Sequence, residues 1–398
     1  MLPLPFAAPL PRFVLALALA ATTIGCAGND DDEDGITDAR PGGLIGDGTD
    51  TSARLVKLWE SSTGHEATDL DFAPVPGRLW VVLREQFAGL PCNSFSDPGC
   101  VALEGSTVEL IDPTASDSPA AEVKKDGNAW HFMRRPTSLA FGIPDPNNPT
   151  EASWFATCGE SRTGNFTTGG PDFIGPSHWT SDPSIYPFNG PGGNGSHLDM
   201  LHATPFCMGT AHDSEAVYWV FNGQVGAIDM YDFADPHIPG GSDHSDGIIY
   251  RYAEGELKYE PEVMSHLEFD AASGWLYIAD TGNGRIARMD TDSGTRGGNF
   301  SPVYEELADS AAFNGAILET VVDSQLDKPS GIVIVGDEIY VSDHATSNIF
   351  AFSLEGEWLN QFDTGLPANS LAGLAVGPDG KLYIADQLAG AVYRLEVD

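Results

Sequence analysis

Positive charge is scarce in this sequence: 19 Lys and Arg stand against 58 Asp and Glu, a formal net charge of −39. Such a surface repels nucleic acid and anionic lipid while it keeps the chain soluble and attracts cations. A nucleic-acid partner is therefore excluded, and the plainest use of the charge is a solvated surface suited to a salty medium. Cysteine is sparse too, at 5 residues in 398. The apolar run "FVLALALAA" (13–21) is too short to cross a bilayer. No Gly-x-Ser-x-Gly elbow occurs, so no catalytic serine can be named. Long helices are not expected either, because 45 Gly and 28 Pro imply many turns. With 41% hydrophobic residues, ample for a large core, this composition favours an all-β fold.

What is present begins with an export signal. Arg12 precedes the 13–21 run, which has the length of a signal-peptide core, so residues 1–25 are expected to be absent from the mature protein. "TIGC" (Thr23–Cys26) resembles the lipobox of bacterial lipoproteins. The resemblance implies lipidation of Cys26 and anchoring in the cell envelope, at the periplasm or outer membrane, with the membrane touched only through the lipid. Ordinary secretion with a free Cys26 is the alternative. Residues 26–53 are acidic and Gly-rich with little to bury, and are expected to form a disordered tether.

Without Cys26 an even number of cysteines remains, as suits an exported protein in which disulfides survive. Cys92 and Cys100 flank the loop "CNSFSDPGC" and are expected to close it. Cys158 and Cys207 are left to pair with each other.

A motif recurs in the last third of the chain. "GWLYIADTGNGRIARMD" from Gly274, "DEIYVSDHATSNIFAFS" from Asp337 and "GKLYIADQLAGAVYRLE" from Gly380 each read as a β-hairpin. A third short strand precedes each, at "SHLEFD", "SGIVIV" and "AGLAVG". One such sheet cannot cover both its faces, so repetition at this spacing predicts stacked propeller blades. Weaker copies begin at Thr68, Thr137 and Met208, which makes six. The chain ends after the third strand of its last blade, and "RLVKLWESSTG" from Arg54 resembles the fourth strand "EWLNQFDTG" from Glu357. An N-terminal strand is thus expected to complete the C-terminal blade and remove its exposed edge.

These motifs resemble the NHL-type six-bladed β-propellers, a group close to the gluconolactonase-like propellers. The resemblance covers residues 54–398, with a long insertion expected at about 159–206, and concerns the fold; chemistry has to come from the site.

In a propeller the innermost strands line a central channel. Aligned blades place Asp69, Ser138, Gly209, His266, Gly331 and Gly373 at one channel-lining position. Asp343, His344 and Arg285 belong to hairpin turns expected on the same face. His197 and His202 end the insertion just before the inner strand of blade three, so they too are expected over the channel mouth. His212 falls at a core position and reads as a buried structural histidine. His237 and His244 sit in a long turn on the opposite face.

Four histidines, His197, His202, His266 and His344, are therefore expected to converge at one mouth. Neutral imidazoles from separate loops can hold a divalent ion, zinc or calcium, with an open position; scattered hydrogen-bonding histidines are the competing reading. A Cys-Met-His copper site is disfavoured because a disulfide removes the thiolate.

Two functions remain in competition. One is an envelope-anchored, monomeric propeller that binds a small molecule or protein at its channel face. The other is a metal-dependent hydrolase or lyase with a His-rich site at that mouth. Peptide-amidating lyases, which share the NHL-type ring, hold zinc through inner-strand histidines. Here the corresponding positions are Thr68, Thr137, Met208, Ser265, Ser330 and Ala372.

Overall fold

The computed structural model describes residues 42–49, 52–85, 104–162, 174–188, 194–300 and 304–397. The signal segment, Cys26, and the expected Cys92–Cys100 bridge lie outside the described residues. Among the described residues no helix is long and apolar enough to cross a membrane.

Six sheets, antiparallel except for one added parallel strand in the third, form a six-bladed β-propeller. Blade one is built from Glu66–Phe72, Arg78–Arg84, Gly105–Ile111 and Ala120–Lys124. Blade two takes Pro136–Pro144, Ser153–Gly159, Ser177–Thr180 and Asp199–Met200. Blade three takes Cys207–Ser214, Val217–Asn222, Ala227–Asp232 and Ile248–Tyr252. Blade four takes Leu267–Asp270, Trp275–Asp280, Arg285–Asp290 and Leu318–Val322. Blade five takes Pro329–Val335, Glu338–Asp343, Asn348–Ser353 and Trp358–Asp363. Blade six takes Leu371–Val376, Leu382–Asp386 and Ala391–Val397, and Ala53–Glu60 supplies its outer strand. That last pairing is antiparallel, from Ala53 opposite Val397 to Glu60 opposite Ala391, and it closes the ring.

The strands at the middle of each blade are apolar on both faces because both faces are covered. In blade four, Leu276 and Ile278 pack with Met208, Trp219 and Phe221 of blade three. The alternate residues Tyr277 and Ala279 pack with Ile332, Ile339 and Val341 of blade five. A period of two thus sends successive side chains into two different inter-blade cores.

Neighbouring inner strands are fastened by polar groups. Thr68 Oγ1 donates to Pro136 O (3.1 Å), Thr137 Oγ1 to Cys207 O (2.7 Å), Thr281 Oγ1 to Pro329 O (2.6 Å) and Ser342 Oγ to Ala372 O (2.6 Å). Between blades three and four Ser265 N donates to Met208 O (3.0 Å). The Cys158–Cys207 disulfide links blade two to blade three at this end, with Cα atoms 5.7 Å apart.

Two features depart from the sequence expectation. Residues 42–49, assigned by composition to the tether, pack on blade five: Asn360 Nδ2 donates to Gly42 O and Gly46 O, and Ile45 is buried with Ala53. One buried isoleucine and the Asn360 side chain dock them, which a composition average hides. The 159–206 segment is also more than an insertion, since it holds the third and fourth strands of blade two. Blade three in turn gains two strands, Asp309–Asn314 and Thr295–Arg296, from the connection between the third and fourth strands of blade four.

Backbones approach closely at the inner strands. A methyl group on Gly209 would lie 2.1 Å from Ser265 O, and one on Gly331 would lie 2.3 Å from Ala372 O. Gly209→Ala must push blade three from blade four, and is expected to cost roughly 1–3 kcal/mol of stability, read as a lower midpoint in urea unfolding.

Candidate functional site

The inner strands enclose a cavity of ≈ 350 Å³ whose walls include Asp69, Asp71, Thr210, His212, His266 and Glu268. It lies toward the ends of those strands. At the other face, where the inner strands begin, ion pairs span the channel. Arg84 of blade one meets Glu160 of blade two (3.0 Å) and Glu262, which precedes blade four (2.9 Å). Arg135 contacts the same two carboxylates, and the Tyr259 hydroxyl donates to Glu160. The mouth expected to hold the ligand is therefore occupied by the protein's own charges, and the accessible cavity belongs to the opposite face.

Asp69 and His266 stand in the channel as the alignment of blades implies, and they are engaged. Asp69 Oδ2 accepts from Ser138 Oγ (2.8 Å) and Leu139 N (2.9 Å), and its Oδ1 accepts from Leu70 N (2.9 Å). Ser138 Oγ accepts from Thr210 N (2.9 Å), so one chain of hydrogen bonds joins blades one, two and three. His266 Nε2 bonds to Thr137 O across the ring (3.0 Å), and its Nδ1 faces Asp69 Oδ1 at 3.5 Å.

The less engaged carboxyls are Asp71 and Glu268, two residues further along the same strands and partly open to the cavity. Burial pushes the Asp71 carboxyl up to about 7, although Phe141 N donates to it (2.8 Å) and favours its anion. Burial, reinforced by Asp71 and Asp69, pushes Glu268 up to about 8. Like charges in a confined, poorly solvated space hold protons that isolated carboxyls lose. The alternation of side chains was the available signal, because i and i+2 share a strand face and Asp69 and His266 had already been placed on it.

The four histidines expected at one mouth are separated. His197 and His202 flank the outermost strand of blade two, far from the axis in strand order. The His197 ring stacks on Phe132 at 3.7 Å, and His202 Nδ1 bonds to Glu305 Oε2 at 2.7 Å. His266 remains in the channel, and His344 Nδ1 donates to Leu371 O (2.8 Å) between blades five and six. Reading 159–206 as one loop omitted two strands, and those strands carry its end to the rim.

Arg285 is held by Asp280 (2.7 Å), Thr320 Oγ1 and Glu256 O. Asp343 accepts from Asp327 N, Lys328 N and Thr346 N, which fixes its turn. His212, expected to be core, is half-buried on the cavity wall and bonds to Glu215 O (3.1 Å).

A different cluster stands at the rim between blades two and three. Asp199, His237 and His244 each present one ligand atom, all within 4.8 Å of one another. The Asp199 carboxylate bonds to His244 Nδ1 at 2.6 Å. His237 and His244 lie in the turn between the third and fourth strands of blade three, which sequence reading took as a turn alone. Their partner Asp199 belongs to the next blade, a juxtaposition that only the ring creates.

No family model matches the sequence, and no curated protein matches it. Among solved structures the chain is similar to an auxiliary nutrient binding protein from Bacteroides ovatus. Identity there is 10%, over 87% of this chain and 77% of that chain, with a TM-score of 0.49. It is also similar to a streptogramin B lyase, at 10% identity over 87% of this chain and 97% of that one, TM-score 0.44. A third is the glutaminyl cyclase of Myxococcus xanthus, at 10% identity over 87% and 96%, TM-score 0.37. Such distances transfer no residue role to this chain.

The channel carboxyls make stability depend on pH in a defined sense. Asp71 and Glu268 stay protonated in the folded chain at pH values where the unfolded chain has released those protons. Their contribution is therefore largest near pH 4 and declines as pH rises toward 8. Thermal melts in chelator should show the Asp71→Asn/Glu268→Gln variant gaining on wild type between pH 5 and pH 8, with little difference at pH 4.

Proposed function

We propose that this protein is an exported, lipid-anchored binding propeller that takes a small cationic ligand into its acidic central channel. The observation that carries the reading is the gathering of Asp69 and Asp71 of blade one and Glu268 of blade four around one cavity, with their charge only partly compensated. A cation that enters displaces the protons and relieves the repulsion between the carboxylates. Calcium suits such an all-oxygen set, and an organic ammonium of matching size suits the same field. The formal charge of −39 adds a long-range attraction for cations. The N-terminal run and Cys26 support export and anchoring, with secretion as the alternative for a free Cys26.

Binding should follow the ionised carboxylates, so affinity for calcium is expected to rise from pH 6 and level off above about 8. Calorimetric titration of the protein with calcium, and separately with a short diamine, measures this. The Asp71→Asn/Glu268→Gln variant should lose the saturable binding while keeping the weak, non-saturating uptake of an acidic surface. Equal saturable binding in wild type and variant, or none in wild type at pH 8 with either cation, overturns the channel reading.

A further inference from the structure

The rim cluster lies apart from the channel and carries its own chemistry. Asp199 is fully buried, and its Oδ1 accepts from Met200 N (2.7 Å) and from His244 Nδ1 (2.6 Å). Its Oδ2 has no hydrogen-bond partner. His237 Nδ1 bonds to Ile238 O (2.8 Å), and since a carbonyl only accepts, the proton sits on Nδ1. That leaves the His237 Nε2 lone pair bare, and this atom is also buried without a partner. His244 presents its Nδ1 to the same carboxylate.

Two buried acceptors without a donor therefore stand in one cluster. An ion pair between His244 and Asp199 does not account for them, because it uses only Oδ1 and leaves Oδ2 and His237 Nε2 unsatisfied. Burying acceptors in this way is costly unless something electropositive fills the space. The backbone holds the two sides together, with His237 N donating to Leu198 O (3.1 Å) and Gly240 N to His197 O (2.9 Å).

We infer that Asp199, His237 and His244 form a zinc-class metal site that ties the outermost strand of blade two to the 233–247 loop of blade three. Two imidazole nitrogens and one carboxylate oxygen suit zinc and disfavour calcium or magnesium, which select all-oxygen shells. Ligand atoms within 4.8 Å of one another need to close to roughly 3.3 Å for tetrahedral zinc, a small movement for a loop-borne pair of histidines. Water completes the fourth position. A metal held by Asp199 and His244 Nδ1 takes the place of the proton between them, so that hydrogen bond opens as the metal enters.

The full chain, stripped with chelator and dialysed, is titrated with zinc alone against a chromophoric competitor and, separately, with cobalt(II). One equivalent of zinc is expected, with the intense visible absorption of four-coordinate cobalt. His237→Gln and His244→Gln, each checked for an intact fold by circular dichroism, should weaken zinc at least tenfold. Excess calcium should not compete, and zinc should slow proteolysis within residues 233–247. The inference is overturned by the absence of a zinc equivalent, by zinc uptake in the variants equal to that of wild type, or by a weak six-coordinate cobalt spectrum. Zinc that persists in the rim variants but leaves with Asp71→Asn/Glu268→Gln also overturns it by assigning the metal to the channel. The two readings fail separately, since loss of calcium binding leaves the zinc result untouched.

Discussion

Crowding of six backbones around one axis governs this molecule. Where the inner strands begin, adjacent blades come so close that Gly209, Gly331 and Gly373 have no room for a side chain. Hydroxyl groups of Thr68, Thr137, Thr281 and Ser342 fill similar positions by donating to the next blade's carbonyls. Each bond is modest by itself, on the order of 1 kcal/mol. Together they fix the spacing of the blades, and the inter-blade cores of Leu, Ile, Val and Tyr then pack at that spacing.

The same crowding shapes the channel. At one face it brings Arg84, Arg135, Glu160 and Glu262 into a shared network that bridges blades across the axis. Further along the strands the walls carry carboxyls with few cations to meet them, and water has limited access. Low polarity and like charge act in the same direction there, so Asp71 and Glu268 hold their protons unusually well. A single cavity thus pairs a closed, neutralised mouth with an acidic interior.

Much of the architecture was legible from residue patterns, because blades repeat and repetition survives substitution. The three last hairpins follow from local spacing, the closing strand at Arg54 from its likeness to a fourth strand, and the Cys158–Cys207 pairing from elimination. What was hidden depends on short or irregular elements. "SHWT" and "DM" in blade two are too brief to show alternation, so His197 and His202 were assigned to a loop over the channel and in fact lie at the rim. The docking of residues 42–49 rests on Ile45 and on the Asn360 hydrogen bonds to Gly42 and Gly46, against an acidic background. Asp199 with His237 and His244 could not be read at all, since their proximity exists between blades and not along the chain. Asp71 and Glu268 were within reach, one strand period beyond residues already placed in the channel.

Sealing blade six with Ala53–Glu60 has a bearing on how the protein is made. This strand leaves the ribosome before any blade, yet its partner Ala391–Val397 is the last of the blade strands to be made. Until both are available the ring has an open seam with unpaired edge groups, and closing it carries the entropy of a loop spanning nearly the whole domain. Assembly that waits on so distant a pairing is slow by nature. A ring whose seam is still open exposes edge strands of the kind that invite self-association, and the Ala53–Glu60 strand removes that edge.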